Sequence, residues 1–504
     1  MTHNLADAFF ALADRWPERP AIDSQEASLT FAQLARRASQ IAELLRRQGV
    51  GVGDRIGIAQ TSNAEAFVFM LGAWHCGATA LVIDFRTRAA ERKKLVDSLG
   101  IKFFVEDRSA PGTDAYPAVR TDGAWREEEP QVNAACLAAP VPGNRTAVIG
   151  VSSGTSGLPQ PVSLSHACLY ARSAMAVMSP QWKRGGRLIV SAPLAFSATR
   201  KHVLSRLLDG GSVYFTPVLV SSDHLAEMIV TSRATAMLAV PAVARGLMGL
   251  ATPGAPLFPS LDYLMCCGAP MTPGEKVAAR DMLTRGFVQN YGSTMAGMIT
   301  VLESEEIDAH ANSVGRALPH VRIEIVDDQH QPLPMGDIGS IRVRTPGVAE
   351  PISLGSGAGE QRTSDLIIDG WVYPGDVGAL DERGFLTIVG RTSDLIIRGG
   401  VNVYPSEVEG ALAEHAAIAE AAVVGWPDPI MGEEVAAFVV LRASAEPREL
   451  LAYCRSRLQP DKQPREIFII DAMPRNANGK LMKSALIGRL PSRLAGAQTE
   501  KQLG

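Results

Sequence analysis

Cysteine is scarce: six residues in 504 are too few and too scattered for a disulfide framework. No Cys-x-x-Cys pair or Cys/His cluster has the spacing of a zinc site, which excludes a zinc-built domain. Adjacent Cys266 and Cys267 read as strand residues facing opposite ways, not as a redox pair. An excess of one charge is lacking too. With 49 Lys and Arg against 53 Asp and Glu, the formal charge is −4, so nucleic acid and anionic membrane are not expected partners. Any basic site must be local. Long apolar runs are missing except at residues 66–83, an uncharged stretch near the roughly 18-residue span threshold. Gly72, His75 and Gly77 interrupt it and charge resumes at Asp84, so it reads as a buried helix ending near Gly77, then a buried strand over 79–83. With no signal-peptide pattern after Met1, the expectation is a soluble, cytoplasmic chain without integral membrane association.

What the chain does have is ordinary globular material, 46% hydrophobic and 20% charged, at a length that calls for two or three domains. Thr30 and Gln33 have capping-box spacing; Leu34, Ile41, Leu44 and Leu45 then form a helical stripe up to Gly49. Strand patterns at 55–59, 147–151, 187–192, 212–215, 236–240, 263–267 and 286–291 alternate with helical ones. That rhythm implies an α/β domain with a mainly parallel sheet flanked by helices. Residues 108–145, rich in Pro, Gly and mixed polar residues, read as a surface loop. From about 313 short alternating strands (321–326, 340–343, 386–389) suggest a β-rich subdomain. A last unit starts near Asp394: Pro405 opens a helix with Val408, Ala411 and Leu412 on one face, strands follow at 421–425 and 434–441, then a helix at 448–458. The expected division is a large domain over 1–391, its β-rich part at about 313–391, and a small α+β domain over 392–504 whose tail after about 490 is polar and disordered.

The apolar strand 147–151 runs straight into Ser152-Ser153-Gly154-Thr155-Ser156-Gly157. Hydroxyls and glycines packed this densely can turn many N–H and O–H donors toward one polyanion. No Gly-Lys-Ser/Thr follows, so it is not a Walker loop. Two other readings stand beside the phosphate loop. One is a plain polar turn. The other is the Gly-x-Ser-x-Gly nucleophile elbow of α/β-hydrolases at Gly150–Gly154, which needs a helix directly after the serine, where Gly157, Pro159 and Pro161 oppose one.

Further motifs follow in order: Ser163-Leu164-Ser165-His166, Pro193-Leu194, Gly268-Ala269-Pro270, Tyr291-Gly292-Ser293-Thr294, Ser313-Val314-Gly315-Arg316 and Tyr373-Pro374-Gly375-Asp376. Gly390-Arg391 leads through Asp394 to Gly399-Gly400, Asn402, Pro405 and Glu407, and Pro474-Arg475-Asn476 through Gly479-Lys480 closes the series. From about residue 29 to about 487 this order resembles the adenylate-forming superfamily, in particular its acyl- and aryl-CoA synthetases. The resemblance implies an ATP-dependent acid–thiol ligase. It makes an acyl-adenylate, releases pyrophosphate, and passes the acyl group to the thiol of CoA or of a carrier-protein phosphopantetheine arm. It implies Lys480 bridging the carboxylate and the α-phosphate, Thr294 donating to that phosphate, and Ser152, Ser153, Gly154, Thr155, Ser156 and Gly157 holding phosphates. Gly268, Ala269, Pro270, Tyr291, Gly292 and Ser293 would frame adenine, and Asp376 and Arg391 the ribose. The small domain would be mobile about a hinge at Asp394, and Gly399 and Gly400 would line the pantetheine tunnel.

Four positions depart from the family pattern. The loop lysine is Gln160 and the next glycine Pro161; the acid after Thr294 is Met295; Ala195-Phe196 replaces an aromatic-His pair; Asn476 replaces a threonine. A thioether cannot replace a carboxylate on Mg²⁺, a hard cation, so no metal ligand is expected at Met295 and Mg²⁺ is expected on the ATP phosphates. Either the chain is a specialised ligase or it is a catalytically impaired adenylate-binding homologue. No acid lies in 195–198 to hold an α-ammonium, so an amino acid is disfavoured. Phe196, Met265, Met271, Met295 and Met298 border the acyl pocket in relatives, which suggests an apolar fatty or aromatic acid as the small-molecule substrate.

Overall fold

The computed structural model describes residues 4–25, 27–107, 115–121, 141–152, 160–252, 254–352, 366–475 and 481–490. The tail after 490, residues 153–159 of the Ser/Gly/Thr loop and residues 476–480 with Lys480 lie outside these. Two compact units emerge: residues 1–323 with 343–374, and residues 324–342 with 375–504.

In the first unit the capping box forms as expected. The Thr30 hydroxyl accepts from Gln33 N, and Gln33 Oε1 accepts from Thr30 N at 2.8 Å, opening the Phe31–Arg47 helix. Its Leu34, Ile41 and Leu45 are buried, a single stripe. The Asn63–His75 helix is apolar all round because it is covered all round; Trp74 Nε1 donates to Ala147 O at 2.9 Å, tying it to the Thr146–Ser152 strand. No helix among the described residues is long and apolar enough to cross a membrane.

Two sheets organise this unit. The seven-stranded one runs Glu350–Pro351, Gln160–Ser165, Thr146–Ser152, Thr79–Val82, Arg55–Ala59, Phe104–Asp107, Ala118–Thr121. The last of these corrects the expectation of an unbroken loop over 108–145. Ala118–Thr121 pairs in parallel with Phe104–Asp107, and the Thr121 hydroxyl donates to Glu106 O at 3.1 Å. A four-residue edge strand flanked by Pro and Gly leaves too short a pattern to see in sequence. The nine-stranded sheet includes, in spatial order, Gly297–Leu302, Phe287–Ser293, Tyr263–Cys266, Ala236–Ala239, Arg187–Val190 and Ser212–Phe215. All but the first of these six run parallel, so one edge of the sheet gathers their C-terminal ends, where ligands of open α/β sheets bind.

In the second unit Asp376–Leu380 and Leu386–Arg391 form an antiparallel hairpin, with Gly339 and Ser340 paired to Gly378 and Val377. Ile418–Asp428 and Gly432–Leu441 make a longer ribbon than the sequence pattern marked, because both faces are apolar and the period of two is hidden. Val423, Val435 and Val439 pack under Val408, Leu412, Leu450 and Cys454 of two helices. Val424, Trp426 and Phe438 face the other way, against Met473 and Leu486. Leu412 and Val408 line one face of the Pro405–Ala413 helix, as Pro405 and the spacing implied.

Candidate active site

The strand Thr146–Ser152 returns as Gln160–Ser165, antiparallel, with Ser152 opposite Gln160. A hairpin return after Ser152 opposes the nucleophile elbow, which carries its serine on a strand-to-helix turn. The backbone of Ser152 thus sits at the mouth of the hairpin, while Ser153, Gly154, Thr155, Ser156 and Gly157 lie outside the described residues. His166, next along the chain, is a packing residue. Its Nδ1 accepts from Leu5 N at 3.0 Å, its ring meets Trp74 edge-on, and burial pushes its pKa down to about 4.

At the C-terminal edge of the nine-stranded sheet, Tyr263–Cys266 gives way to Cys267 and then to exposed Gly268, Ala269 and Pro270. The adjacent parallel strand Phe287–Ser293 extends past this point and presents half-buried Tyr291. A bulge follows at Tyr291/Gly292, and a Cβ on Gly292 would meet Gly297 O at 2.2 Å, so only glycine lets the two strands approach there. Ser293 Oγ accepts from Ala296 N at 3.0 Å, and Asn290 Nδ2 donates to Tyr291 O and Thr300 O, closing the turn that carries Thr294. A side chain at Gly150 would stand 3.8 Å from the Thr294 methyl, so Thr294 lies beside the strand that feeds the Ser/Gly/Thr loop.

One residue that sequence reasoning passed over fixes this turn. Arg172, buried on the His166–Ala176 helix, donates to Thr294 O at 3.0 Å, Met295 O at 2.7 Å and Gly347 O at 2.7 Å. With its carbonyl held by a guanidinium and its thioether in the core, Met295 offers no oxygen to a metal. Among the described residues no group of three His, Cys, Asp or Glu side chains could hold one. Met265, Met271 and Met298 are likewise buried, and half-buried Phe196 precedes the Ser197–Leu208 helix.

That helix is the second feature missed. From Thr199 to Leu207 every residue is buried, including Arg200, Lys201 and His202. Arg200 donates to Leu194 O and Ala195 O, and burial with nearby Arg172 lowers its pKa to about 10. His202 Nδ1 bonds to Ala198 O at 2.8 Å, while among the described residues its Nε2 and the Thr199 hydroxyl have no partner where a narrow gap opens beside Leu188, Val190, Ala192 and Leu238. The signal was present: four basic residues, three of them consecutive, in a helical run with no acid.

In the second unit Asp376 is 6% exposed and stands directly across the hairpin from Arg391, with Arg391 Nε at 3.2 Å from Asp376 Oδ1. A carboxylate so held is an acceptor with its orientation set. Asp394 lies in the short 3₁₀ turn that ends this hairpin, accepts from Ser393 Oγ at 2.9 Å, and has Lys483 Nζ at 3.8 Å. Gly399 and Gly400 join Ile396–Arg398 to Val401–Val403, both at positive φ, as a two-residue hairpin turn demands. Arg475 and Leu481 bridge across residues 476–480, which hold Lys480.

Residues 9–352 match the AMP-binding enzyme family and residues 407–480 its C-terminal domain. The chain is 28% identical over 502 residues to a fatty acid–[acyl-carrier-protein] ligase of Streptomyces coeruleorubidus, covering 95% of this chain and 94% of that one. To a feruloyl-CoA synthase of an Amycolatopsis species it is 30% identical over 495 residues, covering 93% and 97%. Among solved structures, o-succinylbenzoate CoA synthetase of Bacillus subtilis with its acyl-adenylate intermediate superposes with a TM-score of 0.85 at 27% identity, covering 96% and 98%.

Proposed function

We propose, from the premise that the chain belongs to the AMP-binding enzyme family and is an AMP-forming ligase of the acyl-CoA synthetase type, that it joins a carboxylic acid with an apolar body, fatty or aromatic, to the thiol of CoA. A carboxylate oxygen attacks the α-phosphorus of ATP, the bond to the β-phosphate oxygen breaks, and pyrophosphate leaves. The thiol sulfur then attacks the acyl carbon, AMP departs, and the thiol proton is released. Both transition states gather charge on phosphate oxygens, so preorganised donors carry the catalysis. Lys480 and Thr294 are assigned to the α-phosphate, the 152–157 loop to the other phosphates, Gly268–Pro270 and Tyr291–Ser293 to adenine, and Asp376 with Arg391 to the ribose. Asp394 serves as the hinge, and Gly399-Gly400 as the passage for pantetheine. Magnesium belongs to the nucleotide, as counterion of its phosphates.

The observation that carries this reading is the double family match, whose second part ends on Lys480 itself. The relative that loads an acyl carrier protein favours a second reading of the acceptor, a carrier-protein phosphopantetheine arm. Cytoplasmic action is consistent with the absence, among the described residues, of any membrane-crossing helix. Pyrophosphate release with ATP, Mg²⁺ and a panel of acids tests the first step. Lys480→Ala is expected to slow it by about 10²–10³-fold. No release with any acid overturns the ligase reading in favour of a non-catalytic adenylate binder. Thioester formation on CoA against a carrier protein assigns the acceptor.

A further inference from the structure

Lys201 is 6% exposed, and among the described residues its ammonium makes no hydrogen bond and no ion pair. Such a group is rare, because a buried charge is normally paired or bonded. Lys276 shows how the same protein treats a structural lysine. It is 2% exposed, and its ammonium donates to Ala311 O and Ser313 O, each at 2.7 Å. Lys201 has no such acceptors.

Its surroundings deepen the imbalance. Arg172 and Arg200, both 2% exposed, are within electrostatic range of one another, and Arg172 also of Lys201. The hydrogen bonds of both arginines go to carbonyls and a hydroxyl, never to a carboxylate. Arg200 Nε has no partner among the described residues. The Cys267 thiol is within electrostatic range of Lys201, but burial raises its pKa, so it stays neutral and supplies no countercharge. Glu106 already pairs with Arg92, and Asp209, whose side chain is 7% exposed, already pairs with Arg206. Burial pulls the Lys201 pKa down to about 7, with Arg172 adding to the fall and Cys267 opposing it. Among the described residues, no carboxylate answers this positive cluster.

The position is informative. Lys201 lies one helical turn beyond Phe196–Ala198, within electrostatic range of Cys267, just before Gly268-Ala269-Pro270, and of the arginine that holds Thr294 and Met295. Three segments assigned to the acid and nucleotide therefore lie within its reach by chain position or electrostatic range. We propose that the acid activated here carries a second anionic group, remote from the reacting carboxylate, and that the Lys201 ammonium pairs with that group inside the acyl site. The proposal rests on the ligase reading and narrows its substrate class from simple fatty or aromatic acids to acids with an apolar body and an anionic far end.

The test compares matched acids: hexanoate with adipate, octanoate with suberate, and 3-phenylpropanoate with its para-carboxy analogue. Pyrophosphate release gives kcat/KM for each in the wild type, Lys201→Met and Lys201→Arg. In the wild type the best diacid is expected to exceed its monoacid partner at least tenfold. In Lys201→Met that ratio is expected to fall by at least tenfold, and in Lys201→Arg to be largely kept. The wild-type ratio tests the idea even where Lys201→Met fails to fold, which thermal unfolding would reveal. Monoacids preferred by the wild type, or mono- and diacids losing equally in Lys201→Met, overturn the proposal and leave the ligase reading intact. Release with no acid of either kind overturns both.

Discussion

Two regions of the first unit bury cations, and they do so in opposite ways. In the sheet that feeds the Ser/Gly/Thr loop, Arg92 and Glu106 are both 0% exposed and paired, with the Tyr116 hydroxyl at 3.0 Å from Arg92 Nη1 and 2.5 Å from Glu106 Oε1. Arg92 Nε also donates to Thr87 O at 3.1 Å. On the His166–Ala176 and Ser197–Leu208 helices, Arg172 and Arg200 are buried against carbonyls and Lys201 without an acceptor, and none of the three meets a carboxylate among the described residues. The first arrangement answers its own charge, and removing either ion leaves the other uncompensated in low dielectric. The second leaves its charge without a carboxylate among the described residues, a cost that loss of the Lys201 proton or an anionic ligand can offset.

The largest expected effect breaks the first region. Arg92→Met strands Glu106 and should cost about 3–5 kcal/mol of stability. Urea unfolding of the full chain measures it; a loss under about 1 kcal/mol would mean the pair is no structural centre.

Lys201→Met sharpens the second region and should act in the opposite direction. Folding lowers the Lys201 pKa from 10.5 to about 7, so the protonated form is disfavoured in the native state. The penalty is complete below about pH 7 and relieved as pH rises toward 10.5, because over that window the unfolded chain binds more protons than the folded one. Lys201→Met is therefore expected to be more stable than the wild type near neutral pH, with the wild type closing the gap toward pH 10. A difference in melting temperature that does not change over this range speaks against an unpaired ammonium.

The smallest effect is the control. Lys93 and Asp97 form an exposed pair one helical turn apart, and Asp97→Ala should change stability by no more than about 0.5 kcal/mol. A larger change would mean that exposure is a poor guide to which charges matter in this protein.

Much of the architecture was legible because it rests on local rules. The Thr30–Gln33 box, the all-buried segment ending at Gly77, the strand–helix alternation and the Pro405 helix follow from spacing alone. The edge strand Ala118–Thr121 was not legible, since its evidence is pairing with a neighbour 14 residues away, Phe104 against Ala118. The long Ile418–Asp428 ribbon was under-read because apolar residues on both faces erase alternation. At the site, motif order pointed to Asp376 and Arg391, and the hairpin sets them opposite one another. Arg172 carries no motif. Its role exists only because the Thr294–Met295 carbonyls arrive from over a hundred residues away.

The sequence by itself determined the class of this protein, through motifs whose order no composition could imitate. Tertiary structure decided what the charges are for. Arg92 and Lys201 look alike in sequence, basic residues in helices, and only packing reveals that one meets a carboxylate and the other does not. The physical reason is that the cost of a buried charge depends on what surrounds it in space, and neighbours in space are not neighbours in the chain.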